Sequence, residues 1–439
     1  MSKNRFLKNT FILTCTGFLT RLMGFFYRIF LSRTIGAQGL GLYQLITPLE
    51  MLVLALTSSG IQASISRICA SKLALNDKKG AKDIFLTGTG LALILSGCTA
   101  LFCFRNAPFL AEQLIKEPDV CPMIRLFSFS IPLSVLHNCI KSYYFALKCT
   151  EIPAGIQLLE QLVRISSCYL FYLILLSEGK TVTPLIATGG ALAGETAAVL
   201  VSLIAINIRL IYRQKISFLP LRVRNSLGEI CTMAFPFTLN RVLISLLGSM
   251  EMYLIPQMLI LSGLSRSDSL SIYGIFTGMA MPLILFPATF TNSLSAMLMP
   301  SIAEFSALGN FRKIRNAITQ TCYCCFFLGT LCMLGFFLFG RFAGMLLFHS
   351  ITAGTYIRTL AFICPFLYLN TALSGILHGL GKAGRYLIHS LASVGIRILS
   401  VIILVPFTGI RGYFYGIFFS ELLLSVLHLA ALYTCPFTK

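Results

Sequence analysis

Residues 11–31 read FILTCTGFLTRLMGFFYRIFL, and only Arg21 and Arg28 in that run carry charge. A helix needs ~20 mainly apolar residues to cross a bilayer. The run is therefore read as a first membrane span. It is too long for the apolar core of a secretory signal peptide and has no small-residue cleavage site, so no cleavable signal is expected. Lys3, Arg5 and Lys8 precede it. Comparable runs follow along the whole chain, and the predicted spans are 9–32, 42–67, 84–104, 121–147, 154–177, 185–210, 228–261, 269–304, 316–340, 354–378, 386–407 and 412–434. The seventh and eighth are long enough to call for tilt or breaks.

Composition agrees with this reading. The chain has 439 residues, 56% of them hydrophobic and 11% charged, with a mean hydropathy of +0.83. Soluble domains carry about 25% charged residues, and a soluble fold this apolar lacks the polar surface to cover itself. The expected fold class is an all-α polytopic membrane protein of about twelve transmembrane helices. The net charge of +20 would point to nucleic acid in a soluble domain. Here the basic residues cluster between spans, which implies topology and anionic headgroups instead. With the N-terminus placed in the cytoplasm, the inner connections hold twenty basic residues, among them Arg67, Lys72, Lys78, Lys79 and Lys82, and the outer ones hold seven. That asymmetry predicts a multi-pass protein of the cytoplasmic membrane with both termini inside.

The chain also repeats itself. At an offset of 233, Ala146 aligns with Gly379, Leu147 with Leu380 and Arg164 with Arg397. At 234, Asn76 aligns with Asn310 and Lys78 with Arg312; at 230, Leu42-Tyr43 aligns with Ile272-Tyr273. Two six-helix bundles are expected, 1–217 and 218–439, as parallel repeats because each half holds an even number of spans.

Eight basic residues fall inside the spans: Arg21, Arg28, Arg125, Lys141, Arg164, Arg241, Arg358 and Arg397. An intramembrane arginine costs at least ~2.5 kcal/mol on insertion scales and normally faces a cavity, an acid or a ligand. Arg21 and Arg28 are seven residues apart on one helix face, and arginine matches phosphate with bidentate hydrogen bonds. Arg21, Arg28, Arg241 and Arg397 are the candidate substrate-binding residues. Glu251, Glu160 and Arg164 are the candidate ion or counter-charge residues. Glu160 and Arg164, at i and i+4, are expected to pair directly. Gly189, Gly190 and Gly194 form a small-residue face suited to close helix packing. Pro236, Pro282 and Pro287 interrupt helical hydrogen bonding and are candidate hinges.

Other chemistries find no support. The stretch from Gly375 to Lys382 misses nucleotide-binding loop spacing, and Ala383 replaces the required hydroxyl. The five histidines have no metal-ligand spacing. Cys322, Cys324 and Cys325 lie at the start of an apolar helix, where cysteine acts as a small hydrophobe. No enzyme activity, cofactor, metal or nucleic-acid partner is expected.

Several segments carry a resemblance: TRLMGFFYR at 20–28, IGAQGLGLY at 35–43, TSSGIQASIS at 57–66, Ile152-Pro153, EQLVR at 160–164 and GILHGLGK at 375–382. In this order they resemble the polysaccharide-transporter branch of the multidrug/oligosaccharidyl-lipid/polysaccharide exporter superfamily. The likeness is greatest to the stage V sporulation protein B-like group, relatives of the lipid II flippase. The resemblance implies a V-shaped pair of six-helix bundles, as in multidrug (MATE) exporters, around a cationic cavity with alternating access. It also implies an anionic lipid-linked glycan substrate, such as an undecaprenyl-pyrophosphate-linked oligosaccharide or peptidoglycan precursor. Membrane lipids and envelope glycosyltransferases are the further partners it implies. Arg21 matches the first-helix cavity arginine of the flippase pattern, whereas Tyr27-Arg28 stands where that pattern has Arg-Asp. Two C-terminal helices common among those flippases are not expected. The alternatives are a multidrug or cation antiporter of the same superfamily, which would place acids in its cavity, and a non-transporting scaffold in envelope or spore-cortex assembly.

Overall fold

A computed structural model describes residues 3–208 and 223–433, and no strand occurs among them. The first half consists of α1 (Lys3–Thr34), α2 (Gly36–Gln44), α3 (Ile46–Leu54), α4 (Gly60–Ala74), α5 (Lys78–Arg105), α6 (Cys121–Ala146), α7 (Glu151–Ser177) and α8 (Leu185–Asn207). The second consists of α9 (Val223–Leu261), α10 (Arg266–Gly274), α11 (Met281–Leu285), α12 (Ala288–Ala307), α13 (Phe311–Phe348), α14 (Ile351–Leu360), α15 (Cys364–Gly379), α16 (Ala383–Ile403) and α17 (Ile410–Tyr433). Eleven helical stretches among the described residues are long and apolar enough to cross a membrane. The expected first span, outside that count, lies within α1. The protein is an all-α, multi-pass membrane protein. Its outward faces bear this out: Phe326, Phe327, Leu331, Leu334, Leu338, Phe339 and Phe342 are all exposed along α13, a patch that water would not tolerate on a monomer.

The chain divides into two compact units, 1–27 with 42–249 and 28–41 with 250–439. Helices α1 and α9 thus each contribute to both units. The expected boundary at 217/218 lies outside the described residues. In the first unit, Ile61 and Ile65 of α4, Ile84 and Phe85 of α5, and Val135, Ile140 and Tyr143 of α6 form the core, with the Phe85 and Tyr143 rings 4.6 Å apart. The second unit has its own core of Ile302, Ile314, Ile318, Leu373, Ile376 and Leu377.

The internal repeat is written in the backbone. Left-handed residues recur at an offset of 233: Asn76 and Gly309, Lys116 and His349, Lys148 and Gly381. Helix N-caps follow the same register. Asp77 accepts from Gly80 N–H at 2.8 Å, and Asn310 accepts from Lys313 N–H at 3.2 Å. The turns before α5 and α13 therefore align at 233, not at the 234 that the matching asparagines imply.

The prolines act differently from one another. Helix α9 runs unbroken through Pro236 for 39 residues, since one missing hydrogen bond bends a long helix more readily than it ends it. The eighth span is interrupted. A π-helical segment, Ile275–Ala280, precedes Pro282, and the chain leaves helical geometry between Leu285 and Ala288, at Pro287. The second span is broken as well, between α2 and α3, with a π-helical stretch at Ala55–Ser59.

Candidate solute-binding cavity

Within the first unit, a polar cavity of 380 Å³ opens among helices whose outer faces are apolar. Helix α7 supplies one stripe of it, Gln157, Glu160, Gln161 and Arg164, the i, i+3, i+4, i+7 spacing of a single helix face. Helix α6 adds His137, Asn138 and Lys141; α8 adds Glu195, α3 Glu50, and α1 Thr20 and Arg21. On α7 the opposite face, with Leu162, Leu170 and Leu173, is exposed and apolar. The polar stripe thus turns inward, because hydrocarbon offers charged groups no partners.

The expected pair is present: Arg164 Nη2 donates to Glu160 Oε1 at 2.5 Å. Glycine brings the next helix against it. A Cβ on Gly194 would lie 2.8 Å from the Glu160 carbonyl oxygen, and one on Gly190 would lie 2.7 Å from that of Arg164. Helix α8 therefore lies flush on α7, and Glu195 reaches the same group. His137 Nδ1 is 3.7 Å from Glu195 Oε2 and 3.9 Å from Glu160 Oε2. Neither ring nitrogen of His137 has a hydrogen-bond partner among the described residues, nor do Glu195 Oε2 and Arg164 Nε. Three basic side chains, Arg21, Lys141 and Arg164, share the cavity with three carboxylates, Glu50, Glu160 and Glu195.

The other predicted residues stand elsewhere. Arg28 counts with the second unit. Arg241 is exposed on α9 and does not line this cavity. Arg397 belongs to a buried network of the second unit: its Nε donates to Glu251 Oε1 at 2.7 Å, and its Nη1 lies 3.7 Å from Glu421 Oε1. Tyr413 Oη donates to the same Glu251 oxygen at 2.7 Å. Asn370 Nδ2 donates to Glu421 Oε2 at 2.8 Å, and Ser425 Oγ donates to Asn370 Oδ1 at 2.8 Å. Glu251 is thus the counter-charge of Arg397.

His137 and Asn370 are 233 residues apart, as are Arg164 and Arg397. Each unit builds an arginine–carboxylate cluster at the same place in the repeat. In the first the cluster lines the cavity; in the second Glu251 and Glu421 accept hydrogen bonds from Arg397, Tyr413 and Asn370. The participation of His137, Glu50, Glu195, Asn370 and Tyr413 was not predicted. The repeat offset, extended from Arg164 back to His137, is the signal that links the two clusters.

The family model described as "Polysaccharide biosynthesis protein" matches residues 6–306. The chain is 28% identical over 438 residues to stage V sporulation protein B of Bacillus subtilis (strain 168), covering 98% of this chain and 84% of that protein. It is 22% identical over 336 residues to the lipid II flippase MurJ of the same organism, covering 72% of this chain and 61% of MurJ. In fold it is similar to the inward-facing conformation of a multidrug resistance MATE family transporter of the MOP superfamily. The TM-score is 0.75 at 16% identity, covering 94% and 93% of the two chains. The resemblance to that superfamily drawn from the motifs is borne out.

Proposed function

The chain belongs to the polysaccharide biosynthesis protein family, and on that premise we propose that it is a flippase for an anionic lipid-linked glycan. The substrate class is an undecaprenyl-pyrophosphate-linked oligosaccharide or peptidoglycan precursor, moved across the cytoplasmic membrane by alternating access. The observation that carries this reading is the cavity in the first unit, where Arg21, Lys141 and Arg164 meet among membrane helices. A diphosphate needs charge-assisted donors in a site that a lipid-borne headgroup reaches without leaving the bilayer. Guanidinium groups supply those donors in bidentate geometry. Arg21, exposed on α1, is the first contact. Arg28 and Arg241 are further candidate contacts for an anionic headgroup. The membrane potential, positive outside, favours outward movement of negative charge by about 2.3 kcal/mol per charge per 100 mV.

A specific observation favours a second reading, cation antiport: Glu50, Glu160 and Glu195 lie in the same cavity. One comparison separates the two. Purified protein in proteoliposomes is assayed for flipping of fluorescent undecaprenyl-pyrophosphate sugars, as wild type and as Arg21→Ala. The expected result is flipping by the wild type that the variant loses while staying monodisperse. Absence of lipid flipping together with carboxylate-dependent efflux of organic cations would replace the flippase by the antiporter.

A further inference from the structure

We propose that His137, Glu160 and Glu195 bind a divalent transition-metal ion of the zinc class. One nitrogen or oxygen donor from each residue lies within 4.8 Å of the others. Donors bonded to tetrahedral zinc at about 2.0–2.1 Å sit about 3.4 Å apart. The His137 Nδ1 separations of 3.7 Å to Glu195 and 3.9 Å to Glu160 therefore close onto an ion with small side-chain adjustments.

The histidine distinguishes this group from an ordinary acidic cluster. Its side chain is 5% exposed, and both ring nitrogens are without hydrogen-bond partners among the described residues. Leaving a buried polar group unpaired costs roughly 1–3 kcal/mol. A single ion would satisfy His137 Nδ1 and Glu195 Oε2, both orphaned, and use the Glu160 oxygen that Arg164 leaves open. The Arg164 bond to the other Glu160 oxygen then acts as an outer-shell contact that fixes the ligand's orientation. An imidazole with two carboxylates suits zinc, cobalt or manganese better than the all-oxygen preference of magnesium or calcium.

Three protein ligands leave a fourth position open toward the cavity, as in sites that exchange a ligand. Basic and acidic side chains otherwise line the cavity in equal number, three of each, and the ion adds two positive charges where a phosphate would bind. That role of the ion rests on the flippase reading; its binding does not.

The test uses the full chain in detergent, stripped with chelator and titrated with cobalt(II), then with zinc(II). The expected result is one equivalent of cobalt with visible d–d absorption and no thiolate charge-transfer band, displaced by zinc. His137→Ala and Glu195→Gln should each weaken binding at least about tenfold, while Cys322→Ser should not. Absence of stoichiometric binding, a thiolate spectrum, or unchanged affinity in the two variants would overturn the site. If His137→Ala does not fold, the near-isosteric Glu195→Gln decides alone. Flipping is not measured, so failure here leaves the flippase reading untouched.

Discussion

Gly194 packs on the main chain of Glu160, so close that a Cβ would stand 2.8 Å from the Glu160 carbonyl oxygen and 3.1 Å from the Arg164 Cβ. Backbone cannot yield there without separating α7 from α8. Gly194→Ala is expected to destabilise the protein by about 1–3 kcal/mol, the usual cost of overpacking, and to impair transport by moving Glu195 off the cavity wall. Gly97→Ala is the control. Its Cβ meets nothing within 4 Å, and alanine in a helix gains about 0.5–1 kcal/mol over glycine. Thermal midpoints in detergent read both. Equal midpoints for Gly194→Ala and wild type would mean that α8 does not depend on this contact.

Arg397 and Glu251 form an enclosed ion pair of the second unit, the Glu251 side chain being 2% exposed. Removing one partner leaves a buried charge, which typically costs about 3–5 kcal/mol. Arg397→Met should therefore lower the thermal midpoint strongly. The double variant Arg397→Met/Glu251→Met should regain part of the loss, because apolar replacement of a buried pair is often near neutral, while Glu421 and Tyr413 each still lose a partner. A single variant that keeps wild-type stability but loses transport would make Arg397 a substrate contact instead.

The spans were legible because bilayer thickness sets helix length and hydrocarbon excludes charge, so each apolar run announces itself. The Glu160–Arg164 pair was legible for a local reason, the i, i+4 spacing. Arg397 and Glu251 are 146 residues apart, and no local pattern links them. The same holds for His137, Glu160 and Glu195, which come from three helices, with Gly190 and Gly194 of α8 bringing Glu195 against α7. The repeat was half legible. Aligning Asn76 with Asn310 shifts the register by one, because the left-handed turn position is held by asparagine in one half and glycine in the other. Both tolerate that conformation, so residue identity misled where backbone geometry did not.

Arg33 holds a helix end. Its Nε donates to the Leu347 carbonyl at 3.1 Å, and its Nη2 donates to the carbonyls of Leu346 and Leu347, both at 3.0 Å. These are among the last carbonyls of α13, which lack partners within the helix. A cation there also meets the negative end of the helix dipole, worth about 0.3–1 kcal/mol. Arg33→Ala should raise amide hydrogen exchange in peptides covering the α13 C-terminus, and Arg33→Lys should restore protection only in part, since lysine lacks the fork. Unchanged exchange in Arg33→Ala would show that other contacts fix this end.

The turns at either end of α7 test the topology. Helix α7 has 27 residues, about 40 Å at 1.5 Å per residue, enough to cross the ~30 Å hydrocarbon core. The turn at Lys148 and the turn at Lys180 must then face opposite sides. By the positive-inside rule the side that Lys148 shares with Lys72, Lys78 and Lys79 is predicted to be the cytoplasmic one. Reporter fusions decide the matter. Green fluorescent protein fused after residue 148 should fluoresce and alkaline phosphatase there should be inactive, with the reverse after residue 180. The opposite pattern would place both termini outside and would turn the charged end of α4 toward the outer leaflet. A flippase drawing its substrate from cytoplasmic synthesis would then have to bind on the face poorer in basic residues, so the fusion result bears on the direction of transport as well as on the fold.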